Sequence, residues 1–227
     1  MDPAASPGFW PDFWISRWEQ GRTAFHRPTV QPWLVAHVER LAPRGDECVL
    51  VPLCGKSVDL AWLERRGHPV IGVEVAERAA RSFLAEQRRT FAEHESPPFR
   101  VLATGRLELW CGDFFELDAE RHGTFPAILD RAALIAFPPE RRVAYAQKLA
   151  LLLAPRGRLL LIGLEYDESR MAGPPFSVRR AEVERLFDAR CSIEPLGEKA
   201  ILDEEPHFRE KGLDALTEYA LLLTRRA

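Results

Sequence analysis

Glu74 stands 19 residues beyond Gly55, and both close an aliphatic run. A carboxylate at the end of one strand, beside a glycine turn at the end of another, can accept hydrogen bonds from both hydroxyls of a ribose. The turn itself, Leu53-Cys54-Gly55-Lys56-Ser57, holds a single glycine. A dinucleotide site uses G-x-G-x-x-G, whose extra glycines let the backbone approach a pyrophosphate, so a pyrophosphate ligand is disfavoured here. Gly55-Lys56-Ser57 also copies the end of a phosphate-binding loop, but the earlier glycine of that motif falls on Leu50. What remains is a cofactor with a ribose and no phosphate, for which S-adenosylmethionine is the foremost candidate. Leu53 and Gly55 would then border it. Asp113, just past another apolar run, can accept from an adenine amino group or simply cap the next turn, and Phe114 can pack on the ring. Arg131 ends a further apolar run, with a fork of donors suited to a carboxylate or a thiolate. Upstream, Trp10, Phe13, Trp14 and Trp18 recur at helical spacing. That stripe either packs on the core or shields a ligand and draws a sulfonium through its ring faces.

The elements that position these residues follow from periodicity. Residues 49–53 read as a strand, the next turn leads into a helix with Leu60 and Leu63 on one face, Gly67 stops it, and residues 70–73 form a second strand. A helical crossover makes these two strands parallel. Helices are expected at residues 9–19, 31–41, 76–91, 140–153 and 178–190, and a charged loop at 93–98. Residues 100–103 and 107–111 form a hairpin about Thr104-Gly105-Arg106, whose second arm is the third strand of the sheet, and residues 125–129, 158–164, 191–196 and 219–223 supply further strands. The expected total is seven strands and about six helices, an α/β, doubly wound, mostly parallel sheet with helices on both faces.

The chain has 227 residues, 46% hydrophobic and 29% charged, which suits one domain over residues 1–227, with a tail at 1–8 and a helical lid at 9–41. No apolar run reaches the ~20 residues of a membrane span, and MDPAASPGFW lacks the regions of a signal peptide, so a cytoplasmic protein is expected. The four cysteines form no C-x-x-C pair, which leaves no metal site in view. A net charge of −3 with interspersed signs gives no reason to expect nucleic acid. A monomer acting on a small molecule is the expectation.

The run VPLCGKSVDLAWLERRGHPVIGVEV, with FWISRWEQGRTAFH upstream and ILDRAALIAF downstream, resembles the bacterial form of the thiopurine S-methyltransferase family over residues 13–224. The resemblance implies the Rossmann-like fold of class I methyltransferases, with one antiparallel strand, and S-adenosylmethionine as cofactor. It places Trp14 and Trp18 in a W-x-x-x-W motif that lines the cofactor, Phe25 against the substrate, and Arg131 on either cofactor or acceptor. His207 occupies a position where relatives tend to carry an arginine facing the acceptor. An acidic thiol is already ionised near neutral pH and needs no strong base, so no catalytic residue is assigned. The chain has no Pro-Pro-Tyr after its fourth strand and no Pro-Cys, the marks of base-amino and cytosine-carbon methylation. Small aromatic or heterocyclic thiols such as thiopurines are the implied acceptors. Selenium or tellurium species, a non-catalytic S-adenosylmethionine-binding module and an oxidoreductase are the alternatives, and the missing glycines argue against the last.

Overall fold

The computed structural model describes residues 9–227; the expected tail at residues 1–8 lies outside them. The described residues form two compact units, the first ending at Gly123 and the second running Thr124–Ala227.

The first unit runs α1 (Phe9–Glu19), α2 (Pro32–Leu41), β1 (Val49–Pro52), α3 (Val58–Arg65), β2 (Val70–Glu74), α4 (Glu77–Glu86), β3 (Ala92–Ser96), β4 (Phe99–Thr104), β5 (Leu107–Cys111) and α5 (Ala119–His122). Its strands lie in the order β3-β4-β5-β2-β1. β1 pairs parallel with β2, Val49 opposite Val70, and β2 parallel with β5, Glu74 opposite Cys111. All of β1 is buried, as an apolar run covered on both faces requires. α3 starts where the Ser57 hydroxyl accepts the Asp59 amide, 3.2 Å, and stops before Gly67, whose φ of +100° disfavours any residue with a Cβ. α2 opens on Pro32, which lacks the amide a first turn cannot use, and buries Leu34, Val38 and Leu41.

The expected loop at 93–98 is partly strand. β3 pairs antiparallel with β4, with Pro97-Pro98 connecting Ser96 to its partner Phe99. Its charges conceal the strand in the sequence because they serve as ligands for neighbouring arginines. Arg100 Nε donates to Glu95, 3.0 Å, and Arg81 Nη2 to Glu93, 2.8 Å. α4 stops at Glu86, short of the expected residue 91, because Arg88 turns to a φ of +53°.

The second unit runs β6 (Phe125–Arg131), α6 (Pro139–Leu152), β7 (Leu153–Glu165), α7 (Arg180–Phe187), β8 (Cys191–Ala200), α8 (Pro206–Glu210) and β9 (Thr217–Arg225), with strand order β6-β7-β9-β8. β6 and β7 are parallel, and β9 is antiparallel to both β7 and β8. Leu159, Leu160 and Leu161 face Leu223, Leu222 and Leu221 in register, all buried. The outer strand β8 carries Pro195, with a register shift between Pro195 and Gly197.

The described residues therefore hold nine strands, against seven expected. Within their units β4 and β9 run against the other strands, two antiparallel strands against one expected. Short turns such as that at Gly105 can join only antiparallel neighbours, which makes each hairpin arm part of the ladder. The short helices α5 and α8 had no periodic signal. Among the described residues no helix is long and apolar enough to cross a membrane.

Candidate functional site

In the first unit the ends of β1, β2 and β5 meet at one edge. Cys54 donates its amide to the Val73 carbonyl and Gly112 donates to the Glu74 carbonyl, each at 3.0 Å. The Glu74 side chain ties the turns there. Its Oε2 accepts the Gly55 amide and its Oε1 the Ala76 amide, each at 2.8 Å. The carboxylate is almost wholly buried, and burial pushes its pKa up to about 7 against the pull of the amides of Ala76, Gly55 and Val75. Leu53 and Gly55 both adopt left-handed backbone, φ +49° and +53°, so the turn bends tightly around this acid.

Trp18 lies on that turn. A Cβ on Gly55 would come 3.0 Å from the Trp18 ring, so residue 55 must be glycine for both its backbone angle and its neighbour. Trp18 is buried with Ala76, Ala79 and Ile15, which seats α1 on the start of α4. Phe25 stands edge-on to Trp14 at 5.3 Å and to Trp18 at 5.4 Å, while its own ring is 41% exposed. Among the described residues the buried Trp14 Nε1 has no hydrogen-bond partner, which an indole in a finished core seldom shows. Trp10 and Trp18 of the stripe are core, and Trp14 with Phe25 forms a half-open aromatic corner.

After β5, Asp113 caps its own turn, Oδ1 accepting the Phe115 amide at 2.9 Å, and Phe114 is buried with its ring 5.9 Å from that of Phe115. The cap, one of the two roles considered for Asp113, is made through Oδ1. Cys54 is buried beside the same acid, and burial first, then Glu74 and Cys111, push its thiol well above the ordinary range. A thiol held neutral in this way is a poor nucleophile, so alkylation at Cys54 is disfavoured.

In the second unit Arg131 is the last residue of β6, half-buried, and Ala132 follows at a φ of +62°. The preceding Asp130 is fully buried. Its Oδ1 accepts the amides of Ala133 and Leu134, each at 3.1 Å, and its Oδ2 the hydroxyl of Tyr145 at 2.9 Å. Burial pushes the Asp130 carboxyl up to about 6 against those three bonds. His207 sits in α8 with its ring 4.1 Å from that of Phe208 and Nδ1 3.4 Å from Glu205 Oε2. The acid beside it places a negative group where the sequence suggested only a loss of positive charge.

The structure brings Trp14, Trp18, Phe25, Leu53, Gly55 and Glu74 to one corner of the first unit, with Asp113 and Phe114 following the adjacent strand. Sequence reasoning missed Asp130, Tyr145 and Asp59. Asp59 is fully buried and accepts the Gln31 amide at 2.9 Å, which anchors the start of α2 beside the glycine turn. An acid in the first turn of a helix, beside apolar residues, was the available signal.

A family model described as thiopurine S-methyltransferase matches residues 9–226. A thiopurine S-methyltransferase of Pseudomonas fluorescens (strain SBW25) is 44% identical over 95% of this chain and 99% of its own length. That of Xanthomonas axonopodis pv. citri (strain 306) is 41% identical over the same shares, 95% and 99%. Among solved structures, Burkholderia thailandensis 1,6-didemethyltoxoflavin-N1-methyltransferase, with bound S-adenosylhomocysteine, gives a TM-score of 0.65 at 18% identity, covering 98% of this chain and 92% of that one. Magnesium protoporphyrin IX methyltransferase of Synechocystis PCC 6803 gives 0.64 at 15% identity, over 97% and 100%.

Proposed function

We propose, from the premise that this chain belongs to the thiopurine S-methyltransferase family, that it moves a methyl group from S-adenosylmethionine to small aromatic or heterocyclic thiols, as a cytoplasmic monomer. The observation that carries the reading is the buried Glu74 carboxylate holding the Gly55 and Ala76 amides. A carboxylate has about four lone pairs, so one on each oxygen is left for a hydroxyl of a ribose diol. The residues fit the cofactor in one further respect: among the described residues no acceptor meets the Trp14 Nε1 donor.

When bound, the cofactor would supply an electrophilic methyl on a sulfonium: a thiolate attacking that carbon in line would form the new S–C bond as the sulfonium C–S bond breaks, its electron pair leaving on the sulfur of S-adenosylhomocysteine. The protein supplies orientation and a site with little water, effects worth up to ~7–11 kcal/mol together in favourable systems. Glu74 fixes the ribose, and Trp14, Trp18 and Phe25 cover the reacting end with ring faces that favour positive charge. Leu53 and Phe114 supply apolar walls, Asp113 a polar edge. Arg131 holds the cofactor's carboxylate, and His207 borders the acceptor. An acidic thiol gives its proton to solvent before the transfer, so no protein base is called for. Purified protein with labelled S-adenosylmethionine and a panel of thiols tests this directly; binding without methylated product from any thiol would overturn it.

Two results follow from the same roles. With the Glu74 pKa at about 7, cofactor binding competes with a proton. The apparent Kd is expected to rise about tenfold for each pH unit below that value and to level off above it. Calorimetry in buffers of different ionisation enthalpy should show close to one proton released at pH 6, and a flat profile from pH 5 to 8 would exclude Glu74 from the ribose. Arg131→Lys keeps the charge but loses the planar fork. It is expected to raise the cofactor's apparent Kd about tenfold with turnover at saturation little changed, the sign of lost ground-state binding. Preserved cofactor affinity with a lower kcat/KM for every thiol would move Arg131 to the acceptor.

A further inference from the structure

We infer that Asp130 and Tyr145 are positioning residues for Arg131, a reading that rests on the placement of Arg131 at the cofactor or acceptor. Both side chains are fully buried. Their bonds converge on the turn that carries Arg131. Asp130 Oδ1 reaches over Arg131 and Ala132 to the amides of Ala133 and Leu134, both at 3.1 Å, and Oδ2 accepts the Tyr145 hydroxyl at 2.9 Å. Between those anchor points Ala132 is left-handed, φ +62°. For a residue with a Cβ that conformation is unfavourable. It persists only where the surroundings over-determine the backbone. Here the surroundings are one carboxylate closing residues 130–134, and Tyr145, one turn and more inside α6, fixes the carboxylate in turn. Tyr145 is itself held by Phe137, ring to ring at 4.9 Å. The direction in which Arg131 leaves the sheet is set by this clamp rather than by its own rotamer alone.

The clamp also explains an expense that packing does not. A fully buried acid raised to about 6 is costly where an apolar pair of the same volume would serve a core equally well. Its three donors all belong to the turn or to the helix that fixes it, which ties the acid to the geometry of the residue next to it.

The test uses the full chain. Tyr145→Phe removes one hydroxyl, and Asp130→Asn keeps an acceptor for the two amides while removing the charge; the first variant keeps the inference open to refutation if the second fails to fold. Both are expected to change the parameter that Arg131→Lys changes, about threefold for Tyr145→Phe and about tenfold for Asp130→Asn, the loss of one charge-assisted hydrogen bond. Combined with Arg131→Lys they should add no further loss, because they act through the same side chain. Ala132→Gly placed in the Asp130→Asn background should restore most of the loss, since glycine takes positive φ without a clamp. A merely structural role would lower the melting temperature and leave these couplings absent. Wild-type cofactor Kd and acceptor kcat/KM in both variants would overturn the inference, as would losses that multiply with that of Arg131→Lys. If Arg131→Lys moves only the acceptor's kcat/KM and the clamp variants follow it, the inference stands and the cofactor role of Arg131 falls. If Arg131→Lys moves neither parameter, both fall.

Discussion

Glu74→Ala is expected to weaken S-adenosylmethionine binding by at least about a hundredfold, because two charge-assisted bonds to the ribose, each worth roughly 1.5–3 kcal/mol, are lost together. The fold should survive. The Glu74 carboxyl titrates near 7 in the folded protein against an ordinary 4.5. Its proton is therefore held more tightly in the folded state, a contribution to stability that is complete below pH 4.5 and lost as the pH rises through 7. Above that, the ionised group costs on the order of 3 kcal/mol. Removing it at pH 8 relieves this cost and strands the Gly55 and Ala76 amides, which costs roughly 1–3 kcal/mol each. The two nearly cancel, so the melting temperature should change little at pH 8 and fall more at pH 5, where there is no ionisation cost to relieve. Calorimetry on a folded variant with unchanged affinity would remove Glu74 from the site.

Deleting residues 1–19 should abolish measurable cofactor binding and leave the strands folded. Trp18 is the residue that makes the effect large: it lies on Gly55 and buries Ala76 and Ala79, so its loss opens the turn that Glu74 organises. Far-ultraviolet circular dichroism and a cofactor titration of the truncated protein check both halves. Normal binding by that protein would reduce α1 to a packing element and would also count against Trp14 and Phe25 as covers.

The βαβ core was legible because each of its boundaries is marked locally. Val49 to Leu53 is uninterrupted, Gly55 and Gly67 take positive φ, and Glu74 ends the second run. The corner around Glu74 was legible in membership but not in contact. Nothing local in Trp18 says that it rests on Gly55, or that Phe25 folds back on Trp14 and Trp18. β3 was hidden since Ala-Glu-His-Glu-Ser shows no apolar face, its exposed acids being paired across to Arg81 and Arg100. Asp130 was read only as the neighbour of Arg131, because its partner Tyr145 comes from the following helix and a single sequence gives no register between a strand end and a helix face.

The outer strands bear on how this protein behaves among its own copies. A net charge of −3 on 227 residues gives little general repulsion, so dispersal depends on what the open sheet margins present. At β3 an arriving strand would have to dehydrate Glu93, Glu95 and Arg100 while displacing ion pairs that, exposed as they are, add little to stability. At β8 it would meet Pro195, which offers no amide, and a break in register just beyond it. These margins make recruitment of a further strand unfavourable by chemistry at one and by geometry at the other, so the protein's resistance to fibre-like stacking is a local property that moderate salt would weaken at β3 and leave intact at β8.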